Sequence, residues 1–109
     1  MSKITTHVLD TVLGKPAPGI AVRLDKQDQG QWTEVASAET DNDGRCRNLA
    51  PEASAGQYRL TFQTGDYLSG EGRTTIYPEI TITFQCGNDE HYHLPLLLSD
   101  NSYTTYRGS

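Results

Sequence analysis

The chain has no long apolar run, few aromatic and sulfur-bearing side chains, and little positive charge. Its 109 residues include one Trp, two Phe, one Met and two Cys, and nine Lys and Arg stand against fourteen Asp and Glu, for a formal charge of −5 at pH 7. No stretch approaches the ~20 apolar residues that a bilayer-spanning helix needs. The scattered cations leave no cluster for a nucleic-acid backbone, and the negative balance disfavours anionic membrane surfaces. Met1-Ser2-Lys3 runs straight into a polar segment without an apolar export signal. The expectation is a soluble, cytoplasmic protein in which Cys46 and Cys86 are reduced thiols. Those cysteines also lack the paired spacing of a zinc ribbon.

An apolar fraction of 35% and a mean hydropathy of −0.60 are low for a self-sufficient core. The length fits one domain, residues 1–109. Part of its apolar surface is therefore expected to be covered by another copy of the chain.

What is present is a series of turn signals every eight to twelve residues, the spacing of an all-β sandwich. Leu13 to Gly19 reads as a loop, Asp25 to Gly30 as a polar hairpin connection, and Asp41-Asn42-Asp43-Gly44 as a turn whose residues accept positive φ. Between them lie eight expected strands: 4–9, 20–26, 32–39, 44–49, 56–63, 80–85, 90–99 and 102–108. A turn or two of helix fits 65–72. Period two is clearest in Tyr58, Leu60 and Phe62 and in Ile80, Ile82 and Phe84, which should face the core.

The same alternation sorts the chemically interesting residues. Ile4, Thr6 and Val8 share the core face of the first strand, so Thr5, His7 and Leu9 lie on the other; Tyr92, Leu94, Leu96 and Leu98 oppose His91, His93, Pro95 and Leu97. All three histidines thus fall outside the core face. The segment from Leu94 to Leu98 is apolar on both faces, which suits a strand covered on both sides, with a second subunit as the outer cover.

Imidazole titrates near pH ~6.5 and suits proton transfer at neutral pH. Taken alone, His7 and His93 each read as ordinary strand histidines, Arg45 as a solvated arginine at a strand start, and Ser109 as an inert terminus. Together they fit a hydrolytic set, because an arginine near an imidazole keeps it neutral and its fork of donors clasps planar oxygens. Ser109 lacks the Gly-x-Ser-x-Gly surroundings of a covalent nucleophile, which leaves it a positioning role. A zinc site built from His7, His91 and His93 is the competing chemical reading, weakened by the absence of an acidic partner to orient the rings.

The segments Ile4-Thr5-Thr6-His7-Val8-Leu9-Asp10, Gly14-Lys15-Pro16-Ala17, Asp43-Gly44-Arg45, Gly65-Asp66-Tyr67, His91-Tyr92-His93-Leu94-Pro95-Leu96-Leu97-Leu98-Ser99 and Tyr106-Arg107-Gly108-Ser109 resemble, in order, the 5-hydroxyisourate hydrolases, or transthyretin-related proteins. The resemblance implies a transthyretin-like all-β sandwich of two four-stranded sheets with one short helix, assembled as a homotetramer with the site at the dimer–dimer interface. It implies hydrolysis of 5-hydroxyisourate to 2-oxo-4-hydroxy-4-carboxy-5-ureidoimidazoline in urate degradation, without metal or other cofactor. Carried over residue by residue, the catalytic set is His7, Arg45, His93 and Ser109, with Tyr106, Leu97 and Pro95 shaping the substrate site. The hormone-carrying transthyretins share the fold and give the alternative of a noncatalytic small-ligand carrier. One departure stands at Asp100-Asn101, where a proline and an aromatic commonly follow the serine in the family.

Overall fold

The computed structural model describes residues 1–109. Nine strands and one helix follow in order: β1 (Ser2–Asp10), β2 (Lys15–Pro16), β3 (Ala21–Asp28), β4 (Gln31–Glu39), β5 (Arg45–Ala53), β6 (Gly56–Phe62), α1 (Thr64–Gly70), β7 (Ile80–Cys86), β8 (His91–Leu98) and β9 (Tyr103–Thr105). One sheet runs β4-β3-β6-β7 and the other β2-β1-β8-β9, with β5 also paired to β1. The second sheet therefore holds five strands in four positions. Strand β5 pairs with the first part of β1, from Ser2 to His7, and β2 with its end, Leu9 and Asp10.

The inward residues follow the period-two pattern. Val22, Leu24, Tyr58, Leu60, Phe62 and Ile80 from one sheet meet Ile4, Val8, Tyr92, Leu94, Leu96 and Leu98 from the other in one buried cluster. Both cysteines, Cys46 and Cys86, are buried free thiols, and burial pushes the Cys46 thiol up to about 11. No helix is long and apolar enough to cross a membrane.

Several element boundaries differ from those expected. Lys15–Pro16, expected in a loop, forms the short strand β2. Strand β5 continues past Leu49 to Ala53, bending through register shifts against β1. The last strand stops at Thr105 rather than 108, and Gly108 returns as an isolated bridge to His93. The polar hairpin between β3 and β4 closes on two residues, Gln29 and Gly30, both at positive φ, the backbone form that matches the twist of paired strands.

The turn before β5 is built by Asp41 and Gly44. The Asp41 carboxylate accepts from the backbone N–H groups of Asp43 and Arg45 at 2.9 and 3.0 Å. Gly44 has φ 75°, and its carbonyl accepts from the Val8 N–H at 2.7 Å. A Cβ at this position would lie 2.4 Å from the Val8 carbonyl oxygen, with backbone on the far side. Gly44→Ala should therefore destabilise the fold by well over ~1 kcal/mol, beyond an ordinary glycine substitution. A denaturation midpoint equal to that of the parent would contradict this.

The Asp100-Asn101 departure has a structural use. Arg73, in the segment between α1 and β7, bonds Asp100 through Nε at 2.9 Å and through a terminal nitrogen at 2.7 Å. The Asn101 side-chain oxygen accepts from the Ile76 N–H at 2.9 Å. The turn between β8 and β9 is thereby tied to the segment that follows the helix.

Candidate active site

The outer face of the β5-β1-β8 layer gathers the polar residues. Strands β1 and β8 run parallel, with Thr5 opposite His93 and His7 opposite Pro95, while the antiparallel β1–β5 pairing sets His7 opposite Arg45. Side chains directly opposite on neighbouring strands project to the same face. Register alone thus places His7, Arg45 and His93 on one surface, although they lie far apart in sequence. The His7 and His93 ring centroids are 6.4 Å apart and tilted by 35°.

A groove of about 410 Å³ is lined by Lys3, Thr5, Thr6, Arg45, Arg47, Asn48, His91, His93 and Ser109, none of them hydrophobic. Of the residues expected from sequence, Arg45, His93 and Ser109 share this groove. His7 sits beside it, in reach of His93. Pro95 is buried and Leu97 half-buried farther along β8, and Tyr106 is exposed. These three are not brought to the groove within one chain.

The C-terminus is delivered to the site by Gly108. Its N–H bonds the His93 carbonyl at 2.7 Å, and a Cβ there would lie 2.8 Å from the His93 ring and 3.3 Å from the Pro95 ring. Only a residue without a side chain leaves the imidazole in place. Arg107 turns the other way: its guanidinium reaches Glu90 at 3.1 Å and lies 4.3 Å from the centroid of the Tyr92 ring. It braces the tail rather than facing the groove.

Thr5 and Arg47 are among the groove-lining groups that the sequence did not single out. Thr5 Oγ1 lies 2.8 Å from His91 Nε2 and 2.7 Å from His93 Nδ1. Arg47 is held by Asp41 and Asp43 at 2.8 and 3.3 Å. Period two puts Thr5 on the His7 face, but only the parallel register reveals that both β8 histidines converge on it. No group of three or more His, Cys, Asp or Glu side chains stands at metal-holding spacing.

Electrostatics favour neutral imidazoles. Burial and then the Arg45 charge hold His7 below its ordinary 6.5, against an opposing pull from the Asp43 backbone. Burial, Arg45, His7 and His91 do the same for His93. A positive neighbour disfavours the charged form, so removing it must raise both rings. Arg45→Met should move the His7 and His93 titrations up toward 6.5 in an NMR pH series; unmoved titrations would contradict the arrangement.

Both the sequence and the fold match known proteins. The family model described as HIUase/Transthyretin matches residues 4–108. The "5-hydroxyisourate hydrolase" of Salmonella dublin is 45% identical over 109 residues, covering 97% of this chain and 80% of the relative. The solved structure of Klebsiella pneumoniae 5-hydroxyisourate hydrolase aligns with a TM-score of 0.86 at 34% identity, over 97% of this chain and 98% of that one. Sea bream transthyretin in complex with thyroxine aligns with a TM-score of 0.93 at 34% identity, over 96% and 93%. The two-sheet sandwich and the match along nearly the whole sequence establish that this chain belongs to the HIUase/Transthyretin family.

Proposed function

We propose that the chain hydrolyses 5-hydroxyisourate to 2-oxo-4-hydroxy-4-carboxy-5-ureidoimidazoline, with His7, Arg45, His93 and Ser109 as the working residues. The observation that carries this reading is the polar groove in which Arg45, His93 and Ser109 meet, with His7 alongside. A planar, oxygen-rich ring matches such a lining; a carrier of apolar aromatic ligands calls for hydrophobic walls instead.

The reaction opens a cyclic amide. A water held between His7 and His93 loses a proton to an imidazole as its oxygen bonds the carbonyl carbon. Arg45 binds the ring oxygens and stabilises the charge that develops on the attacked carbonyl. The ring C–N bond then breaks, and the proton held by imidazole passes to the leaving nitrogen. Ser109 orients the water. The depressed pKa of each histidine suits this work, since a base that is neutral at pH 7 is free to accept the proton. Tyr106, Leu97 and Pro95 complete the substrate walls in a homotetramer, where a neighbouring subunit covers the outer face, and the protein works in the cytoplasm.

The test is the decay of freshly made 5-hydroxyisourate, followed by absorbance with the intact chain and with a chain lacking Ser109. The intact chain should accelerate decay strongly and the truncated chain much less. An intact chain that leaves the decay unchanged would overturn the proposal.

A further inference from the structure

A hydroxyl group has a single proton, and Thr5 stands between two imidazole nitrogens. The 2.8 and 2.7 Å separations from Thr5 Oγ1 to His91 Nε2 and His93 Nδ1 are both hydrogen-bonding distances. Thr5 can donate to only one of them, so the other nitrogen must itself carry hydrogen and donate to Thr5. The neutral rings are therefore locked in opposite senses. In one state His93 Nδ1–H donates to Thr5, Thr5 donates to His91 Nε2, and His93 Nε2 presents a lone pair. In the other, His91 Nε2–H donates to Thr5, Thr5 donates to His93 Nδ1, and His93 Nε2 carries hydrogen.

Thr5 is well placed to enforce this. It is only 7% exposed, its β-branched side chain has few rotamers, and its backbone is paired in register with His93. The two histidines differ in surroundings: His93 is half-buried, whereas His91 is exposed. Burial and the neighbouring Arg45 make a positive charge on His93 unfavourable, and the exposed ring is the better place to hold one.

Resting on the hydrolase reading above, we propose that Thr5 is a positioning residue that fixes His93 as the Nδ1–H tautomer and passes its surplus proton to His91. As His93 Nε2 takes a proton from water, its Nδ1 proton moves to Thr5 Oγ1 and the Thr5 proton moves to His91 Nε2. The imidazolium charge then sits on His91 at the solvent side, and His93 is neutral with hydrogen on Nε2. When that hydrogen goes to the leaving amide nitrogen, the reverse transfer from His91 through Thr5 to His93 Nδ1 restores the starting state. One water proton ends on the nitrogen, and no group gains or loses a proton over the cycle.

Nitrogen-15 NMR of the imidazoles, at a pH where both rings are neutral, tests the coupling without substrate. The parent chain should show His93 protonated on Nδ1 and His91 carrying its hydrogen away from Thr5. His91→Phe removes the acceptor, so Thr5 must turn its proton to His93 Nδ1, and His93 should switch to the Nε2–H form. Thr5→Val keeps the shape but loses the hydroxyl; it should release the tautomers and lower kcat by about 10²-fold with little change in KM. Thr5→Ser should restore both signatures. The Thr5→Val and His91→Phe losses in kcat should not add, because they interrupt one relay. An unchanged His93 tautomer in His91→Phe, a fully active Thr5→Val, or additive losses would overturn the proposal. If Thr5→Val fails to fold, the His91→Phe tautomer decides alone. A parent chain without activity on 5-hydroxyisourate would refute the hydrolase reading, and the tautomer pattern would still judge the Thr5 coupling separately.

Discussion

His93→Ala should lower kcat/KM for 5-hydroxyisourate by about 10²–10⁴-fold, the usual contribution of a positioned proton-transfer group. His93 stands where the three inputs to the site cross: it faces Thr5 across the β1–β8 ladder, it approaches His7, and its carbonyl anchors Gly108. Its replacement by Ala removes the imidazole alone, because the Gly108 bond goes to the backbone carbonyl of residue 93 and survives the substitution. His7→Ala should cost a comparable factor, since it removes the other imidazole of the pair. In both variants the change should fall mainly on kcat, with KM changing less, since the missing interaction acts in the transition state. The acid limb of the parent kcat/KM profile should lie below pH 6.5, the ordinary imidazole value, because both imidazoles are depressed. Arg45→Met should shift that limb upward while also weakening substrate binding. Full activity in His93→Ala, with the fold intact, would exclude the assigned base pair.

The largest stability effect is expected away from the groove, at Arg73. Asp10 ends β1 with no exposed surface, and its carboxylate takes both terminal nitrogens of Arg73 at 2.6 and 3.2 Å. The Tyr67 hydroxyl donates to it at 2.8 Å, and the Val12 and Leu13 N–H groups donate at 3.1 Å each. Burial pushes the Asp10 carboxyl up, but these partners outweigh it and hold the group at about 2. The same contact, added to burial, pushes the Tyr67 hydroxyl up to about 12. Arg73→Met leaves a buried carboxylate without its cation, a change that typically costs ~3–5 kcal/mol. Asp100→Ala removes only the half-exposed partner of Arg73 and should cost under ~1 kcal/mol.

The sign of the pH dependence separates this pair from a packing defect. In the parent, Asp10 titrates lower in the folded chain than in the unfolded one, so its stabilisation is fully present above the ordinary carboxylate value of 3.8 and is lost as pH falls toward 2. In Arg73→Met, burial is opposed only by neutral donors, so protonating Asp10 relieves the cost. The stability gap between parent and variant should narrow as pH falls below 3.8. A gap that stays constant from neutral to acidic pH would mean that lost packing, and not an orphaned charge, sets the cost.

How far the sequence carried the fold depended on the range of the signal. Strands whose two faces differ, such as Tyr58-Leu60-Phe62 and Ile80-Ile82-Phe84, were legible because alternation is local. The strand β2 was hidden because Lys15 and Pro16 carry no pattern of their own; they pair with the end of β1 only after the chain has turned at Gly14. The early stop of β9 was hidden for a similar reason. Tyr103 to Ser109 alternates well enough for one strand, yet only Tyr103 to Thr105 meets a register partner in β8 before the tail turns back to His93.

The site divided along the same line. Period two identified the shared face of Thr5 and His7 and the shared face of His91 and His93, and the family resemblance supplied the roles. Neither revealed Thr5 as the common partner of both β8 histidines. That relation is a property of the parallel β1–β8 register, set by residues more than eighty positions apart. Asp100 likewise stood out in the sequence as a departure without a purpose, and acquired one only when folding brought Arg73 beside it.

Turnover under a large excess of substrate separates an enzyme from a binding protein. Protein far below the concentration of freshly generated 5-hydroxyisourate should consume the whole pool, well ahead of spontaneous decay, and release the ring-opened product. Loss that stops at one equivalent per chain, or decay at the spontaneous rate, would rule out catalysis and leave a transthyretin-like binding protein.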